Sequence, residues 1–485
     1  MTFNTTSIAE KIREDVEHLI ALTSGEGDEK LSAYEIEGRL WWSLLALGFQ
    51  LLRLFFVSQH QQEERCGAVE IDGACYAYVG TRERSYWSIF GKLRLKRRAY
   101  WQPGQGCVHP LDAALQLPQR QYSYRLQEWV SEWSSLVAYA DVVAHLQSWL
   151  GLSIPKKSLQ DMLSDHAAYH ECYAAQLTAP KLIAGDSILV VQADGKGIPM
   201  TPAHSPPPEQ RRQAGKTASK VATVTSIYTL SPYVRSPEAL IHTLLRDDLG
   251  KKDQTQRPTP HHKWMAGTLA GQSTAFEQLE PHIQRYAAEH LSHRVAVCDG
   301  DQGLQNRIRE HLPGFTLILD IFHVLGYLWR AADALLGNKH PMRYQWMHDA
   351  LHCLLTDDLD RLLSHLHHQH TYLPPAQSYE LRTTIRYLSN QREQMHYHTY
   401  LALGYPISSG VIEGACCHLV HDRFEQSGMR WSPEGAQAML DVRALVLNEH
   451  WQDFQAFYRL QEHARLYPYA DTGHASALLH GQRAA

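Results

Sequence analysis

Paired cysteines are missing from this sequence. Its eight cysteines (66, 75, 107, 172, 298, 353, 416 and 417) contain no C-x-x-C pair. Neither a ribbon-type zinc site nor a disulfide framework is therefore indicated, and a reducing compartment is expected. An excess of one charge sign is missing too. The 46 Lys and Arg against 51 Asp and Glu give a formal net charge of −5, which confines any DNA contact to local basic patches. Nor is there an uninterrupted apolar run of the ~20 residues that a membrane span needs. The most apolar stretch, Trp41 to Val57, is broken by Gln50 and Arg53. A buried or self-associating helix is expected there, and no membrane. The polar, amphipathic start, MTFNTTSIAEKIREDVEHL, gives no reason to expect a signal peptide, so a cytoplasmic location is expected.

What is present suits a globular chain. Its 485 residues, 44% hydrophobic and 20% charged, fit two to four domains. Thirty histidines make the net charge sensitive to pH near their unperturbed pKa of ~6.5.

Residues 1–60 read as helices, with Leu40, Leu44, Leu45, Phe49 and Leu52 forming a wide apolar face. From Cys66 to Pro110 the texture turns to short β segments. In GKLRLKRRAYW, Lys92, Arg94 and Lys96 alternate with Leu93 and Leu95, the pattern of a half-exposed strand with one basic face. Two readings stand for that face: phosphate contact, or an edge strand protected by charge. Cys66, Cys75, Cys107 and His109 lack the spacing of a zinc ribbon, so zinc is not expected. Residues 113–180 read as helical. Within them Gly151 separates two helices, the second beginning with Lys156, Lys157 and Ser158. This is compatible with a helix-turn-helix, whose second helix contacts DNA near its N-terminus.

The remainder is organised by three acids. Ile188 to Val191 read as a buried strand with Asp194 at its tip, and Gly195 and Gly197 as the turn beside it. A basic loop with Lys196, Arg211, Arg212, Lys216 and Lys220 follows, then a strand over 221–230 and a second basic loop over 251–264. A strand over 293–297 runs into Asp299, again beside glycine, and FTLILD (315–320) is another strand. After a helical block, Ser408 or Ser409 caps a helix with Glu413 in its first turns. Three carboxylates on separate elements suit two hard divalent ions, which activate an attacking hydroxyl and stabilise a leaving oxygen in phosphodiester chemistry. Without metal, mutual repulsion should raise their pKa values. Singly, each acid is as readily a turn residue or a helix-dipole partner.

Five segments come in a telling order: VVQADGKGIPM (190–200), VATVTSIYTLSPYVRSPE (221–238), VAVCDGDQGLQ (295–305), LDIFHVLGYLW (319–329) and SSGVIEGACCHLVHDRFEQSGMRWS (408–432). In these the chain resembles bacterial insertion-sequence transposases of the ISKra type, within the DD-E superfamily. The resemblance covers about residues 185 to 450 and implies a catalytic triad of Asp194, Asp299 and Glu413 holding two Mg²⁺, with Mn²⁺ as a substitute. It implies an α/β ribonuclease-H-like core (181–330 and 405–460) interrupted by an all-helical insertion (331–404) and followed by a tail (461–485). Ahead of the core it implies a helical region (1–60), a small β-rich module (61–112) and a helix-turn-helix-like region (113–180). Asp320 and His323 match a D-x-x-H element expected beside the active site. His418, Arg423, Arg430 and Trp431 suit phosphate contact or base stacking, or plain helix-surface roles. Members of the group often carry upstream C-x-x-C pairs, so a degenerate, zinc-free module is expected here.

The function implied is Mg²⁺-dependent hydrolysis at insertion-sequence ends and strand transfer into target DNA, by a homodimer or larger synaptic assembly. Two alternatives stand beside it. One is a catalytically silent DNA-binding or regulatory descendant; the other is a carboxylate-pair hydrolase, which needs a deep pocket with aromatic walls.

Overall fold

The fold is taken from a computed structural model that describes residues 5–24, 31–63, 65–71, 73–205, 218–245, 257–286 and 291–469. Arg211, Arg212 and Lys216 of the first basic loop, and 251–256 of the second, lie outside the described residues. The chain is a mixed α/β protein that divides into two compact units, residues 1–169 with 450–485, and 170–449.

The first unit opens with helices α1 (Thr5–Ser24) and α2 (Ala33–Gln62). Ser32 and Glu35 form a reciprocal capping box that starts α2 by satisfying backbone N–H groups the helix leaves open. A four-stranded antiparallel sheet follows in the order β1 (Ala68–Ile71), β2 (Ala74–Ser88), β3 (Gly91–Gln102), β4 (Gly106–Val108). Along β3, Leu93 and Leu95 are buried while Arg94 and Lys96 face solvent within 4.0 Å of Glu83 on β2, as alternation predicts. Arg97 and Arg98 instead turn inward. Arg97 pairs with buried Asp112 and Arg98 with buried Glu63, so two charges of the basic run hold the module together. After a short helix α3 (Pro110–Ala114) come α4 (Tyr124–Leu136), α5 (Tyr139–Leu150) and α6 (Lys156–Ala167). Gly151 ends α5 in the left-handed conformation, where a side chain would be strained.

The apolar stretch of α2 is not buried. Among its described residues only Phe56 is, and Trp41, Trp42, Leu44, Leu51 and Phe55 remain about half exposed. By length and composition α2 could cross a membrane. The expectation of burial fails because a sequence reports an apolar face without saying whether its partner lies in the same chain.

The second unit contains α7 (His170–Gln176), β5 (Ile188–Pro199), β6 (Ser219–Leu230), α8 (Pro237–Leu245), β7 (His261–Thr268), α9 (Gln272–Gln284), β8 (His293–Cys298), α10 (Gln302–His311) and β9 (Thr316–Leu319). Its sheet has the order β7-β6-β5-β8-β9. β5 to β7 pair antiparallel, while β8 and β9 join β5 in parallel. Leu189, Val191 and Ala193 face one core with Phe276, Leu279 and Leu304 of α9 and α10. Ile188, Val190, Val295 and Val297 face the other, shared with the helices α11 (Ile321–Leu336), α12 (Arg343–Leu355), α13 (Leu359–His370), α14 (Pro375–Asn390) and α15 (Tyr397–Ala402). Burial on both faces explains why these strands read as continuous apolar runs.

Asp194 is not at the tip of a strand. β5 continues to Pro199, with Asp194 opposite Val224, Gly195 opposite Thr223 and Gly197 opposite Val221. The two glycines are ladder residues, not a turn. What stops near Asp194 is the other neighbour, since parallel pairing with β8 ends at Gln192 opposite Val297.

The chain then forms α16 (Gly410–Ala415), a π turn over Cys416–His421, and α17 (Pro433–Leu447). The final helix, α18 (Trp451–Leu466), groups with the first unit, where the rings of Trp451, Phe454 and Tyr458 enclose His166. The expectation that 405–460 belongs wholly to the core, with a tail from 461, is corrected: the change of unit comes at His450. Its cause is the apolar face of α18, which supplies aromatic cover for α6.

Candidate active site

Strand alternation puts Gln192, Asp194 and Lys196 on one side of β5. That side faces the segment carrying Glu413. Buried Gln192 donates through Nε2 to the Ser408 carbonyl (2.9 Å), and its Oε1 accepts from the Ile412 N–H (2.9 Å). One side chain thus fastens the start of α16 to β5. Two residues on, Asp194 Oδ2 is 3.7 Å from the Cys416 thiol, and its Oδ1 accepts from the Gly195 N–H at 2.6 Å. Two further on, Lys196 Nζ is 3.8 Å from Glu425.

Asp299 follows β8 directly, beyond the carboxyl ends of the parallel strands, where open α/β sheets place their sites. Its Oδ1 accepts from the Asp301 N–H (2.9 Å), while Gln305 donates to its carbonyl (3.2 Å). The helical insertion braces this turn. Gln391 bonds both Gln305 and the Gly300 carbonyl, and the Tyr387 ring fills the space a Cβ at Gly300 would need, 2.5 Å away.

Asp320 follows β9 and is fully buried. It caps α11 by accepting from the Phe322 N–H (3.1 Å), accepts from the Ser409 N–H (3.2 Å), and lies 2.7 Å from the Ser409 hydroxyl. The same hydroxyl is 3.0 Å from Glu413 Oε1. Ser409 therefore stands at the cap of α16, as expected, but makes no capping bond; its hydroxyl links Asp320 to Glu413 instead. Exposed His323 is 4.0 Å from Asp320.

Electrostatics ties these groups into one site. Burial pushes the Asp299 carboxyl above its ordinary value; the Asp301 N–H and the charge of His323 oppose this, and the Asp194 carboxylate adds to it. Burial likewise raises Asp320, against its bonds to Ser409 and Phe322. The Cys416 thiol is raised by burial, then by Asp194, with Glu413 adding. Asp194 thus acts on both Asp299 and Cys416, and Glu413 acts on Cys416. The oxygens of the three acids do not close on a single point: among the described residues, only Cys417, His418 and Asp422 bring three possible metal-ligand atoms within 4.8 Å of one another.

Comparison with protein-family models and with curated proteins returns no match.

The residues expected to face DNA fall into groups. Lys196 lies beside Asp194, and Lys220 and Arg430 are exposed. Lys156 and Lys157 are exposed at the start of α6, with Lys157 2.8 Å from Asp161. Arg423 and Trp431 are corrected: both are buried. Trp431 bonds to the end of β5 through its backbone, from its N–H to the Pro199 carbonyl (3.0 Å) and from the Thr201 N–H to its own carbonyl (2.9 Å). The Arg423 guanidinium lies over its ring at 5.0 Å, so both side chains pack the fold and neither offers a phosphate contact. Sequence reasoning missed Gln192 and Cys416, and read Ser409 as a cap without its link to Asp320 and Glu413. The available signal was the spacing of Gln192 two residues before Asp194, on the same strand face.

Proposed function

We propose that this chain is a DNA transposase of the DD-E type, with a ribonuclease-H-like core in its second unit. What supports the reading is a sheet ordered β7-β6-β5-β8-β9, whose second and third strands run antiparallel and whose last two join in parallel, with Asp194 on β5, Asp299 directly after the neighbouring β8, and the start of the Glu413 helix bonded to Gln192 two residues before Asp194. That order agrees with a ribonuclease-H-like core, and the helices of 331–404 stand where an insertion is expected.

The residues fit a hard divalent ion. Their donors are carboxylate oxygens, and Asp299 is already disfavoured as an anion by burial and by Asp194, a deficit that a cation relieves. Open spacing suits Mg²⁺, which retains waters, better than a closed cage would. Asp194, Asp299 and Glu413 would hold the metal, with Asp320 positioning Glu413 through Ser409. Bound Mg²⁺, or Mn²⁺ in its place, would activate the attacking hydroxyl and stabilise the leaving oxygen. Lys196, Lys220 and Arg430 would receive DNA phosphates. Water would cut the phosphodiester at the element's end, and the freed 3′-hydroxyl would attack target DNA, with no covalent protein–DNA intermediate.

The test is cleavage of end-bearing DNA with Mg²⁺. Asp194→Asn, Asp299→Asn and Glu413→Gln should each abolish cutting while DNA binding survives; variants that cut normally would overturn the mechanism. A wild-type chain that binds but never cuts would favour the silent, regulatory alternative. The carboxylate-pair hydrolase is less well supported, because the 600 Å³ cavity of this unit is lined by Tyr228, Tyr233, Phe322 and Arg235 without any of the three acids.

We also infer self-association through α2. Trp41, Leu44, Leu51 and Phe55 recur at i, i+3, i+10 and i+14, the spacing of a coiled-coil seam. With Trp42, Ile20 and Tyr34, the exposed parts of these side chains amount to on the order of 800 Å², the area per partner of a standard protein interface. A second copy of the chain is the occupant this area suits, as joining two DNA ends requires.

A further inference from the structure

We propose that Cys417, His418 and Asp422 form a binding site for a borderline-soft divalent metal ion, zinc foremost, on the turn that follows Glu413. The inference stands apart from the transposase reading and uses none of the three acids. His418 Nδ1 lies 2.9 Å from Asp422 Oδ2, the Cys417 thiol 3.5 Å from Asp422 Oδ1, and all three ligand atoms fall within 4.8 Å. Thiolate, imidazole and carboxylate together are a zinc-type donor set, unlike the all-oxygen set around Asp194.

The backbone explains why these three side chains meet. In an α-helix of 3.6 residues per turn, positions i and i+5 point well apart. Cys416–His421 is a π turn, whose i→i+5 bonding brings Cys417 over Asp422 while His418 stays within reach at i+4. Such turns are rare and cluster at functional sites. This one is held from behind, since buried Arg443 donates through Nε to the His418 carbonyl at 2.7 Å. An ion pair between His418 and Asp422 alone would need neither the π turn nor the thiol.

The site faces solvent, with His418 64% and Asp422 41% exposed. Three protein donors leave a fourth position for water, as zinc sites outside closed structural cages do. His421 stands beside the site, with Nδ1 3.6 Å from Asp422 and Nε2 3.5 Å from Glu425. Binding would form a metal–sulfur bond as the Cys417 thiol releases its proton to solvent. The ion would then clamp the turn whose first residue, Cys416, touches Asp194.

The full-length chain, stripped with a chelator and kept reduced, should be titrated with Co²⁺ and followed by absorption. A thiolate-to-cobalt charge-transfer band should grow to about one equivalent and be bleached by Zn²⁺. Cys417→Ser should abolish the band. His418→Ala and Asp422→Asn should each weaken binding at least ~10-fold, with circular dichroism unchanged because the side chains are exposed. Cys416→Ser should leave the band in place. Absence of the band in the wild type, or its survival in Cys417→Ser, would overturn the site. DNA cleavage does not enter this readout, so the two proposals fail separately.

Discussion

The Ser409 hydroxyl lies 2.7 Å from Asp320 Oδ2, inside the protein. The same oxygen is 3.0 Å from Glu413 Oε1, and one hydroxyl hydrogen cannot serve two carboxylates. That hydrogen is within reach of both carboxylates, so Ser409 couples buried Asp320 to Glu413. Ser409→Ala should therefore slow cleavage roughly 10- to 100-fold, the scale typical of groups that orient a metal ligand. It should lower stability by about 1–2 kcal/mol. Single-turnover cleavage beside a denaturant melt would check this, and unchanged cleavage would remove Ser409 from the site.

Gly300 and Tyr387 are fitted to each other. A Cβ at residue 300 would lie 2.5 Å from the ring, and Tyr387 is itself stacked on Tyr327 with centroids 3.7 Å apart, so the ring cannot simply retreat. Gly300→Ala should cost about 1–3 kcal/mol by overpacking and displace Asp299 beside it. Combining it with Tyr387→Ala should give less destabilisation than the sum of the two single changes. Strict additivity in the thermal melts would show that the clash is absent.

Replacing Leu44 and Leu51 together by Glu should make the protein monomeric, because two charges would enter the seam on α2. Light scattering with size-exclusion chromatography measures the mass. A wild type that is monomeric at micromolar concentration would rule out this surface as the interface.

Asp441, on α17, offers a test by pH. Burial pushes its carboxyl up to about 7 from an ordinary 3.8, opposed by a 2.8 Å bond from Gln437. Because the folded protein holds this proton more tightly than the unfolded chain, its stabilisation is complete below pH ~4 and is lost as pH rises through about 7. Asp441→Asn removes that loss. Its stability advantage over the wild type should grow from pH 4 to 7 and level off above, as read from urea melts. A difference independent of pH would mean that the carboxyl titrates normally in the folded state. Neighbouring His170, 3.8 Å away, is pushed the opposite way, down to about 4, by burial, so the same melts on His170→Asn and on the double variant separate its titration from that of Asp441.

Much of this fold was legible because burial and period coincide. The runs at 188–191, 221–230, 293–297 and 315–320 read as strands, and strands cover 188–191, 221–230, 293–297 and 316–319. The helices ending at Gly151 and starting at Asp301 and Asp320 carry ordinary punctuation. What could not be read was decided by distant pairing. Asp-Gly-Lys-Gly looks like a turn until β6 hydrogen-bonds along its whole length. Arg423 looks like a phosphate ligand until Trp431, pinned to Pro199, receives it. The π turn leaves no periodic trace because it lasts a single turn. Convergence of three acids was an expectation of order along the chain; the fastening of the Glu413 helix to β5 by Gln192 and to Asp320 by Ser409 was invisible to it.

Placing Asp194 inside a ladder makes its role a matter of parity. On β5, even-numbered positions from Gln192 to Lys196 look toward α16, while Leu189, Val191 and Ala193 look toward Phe276 and Leu279. Deleting one residue between Ile188 and Ala193 would turn the carboxylate into that apolar layer unless the strand slipped as a whole. Point substitution and length change therefore act on different properties. The first can remove the acid and spare the fold; the second keeps the acid in the sequence while taking it out of the site.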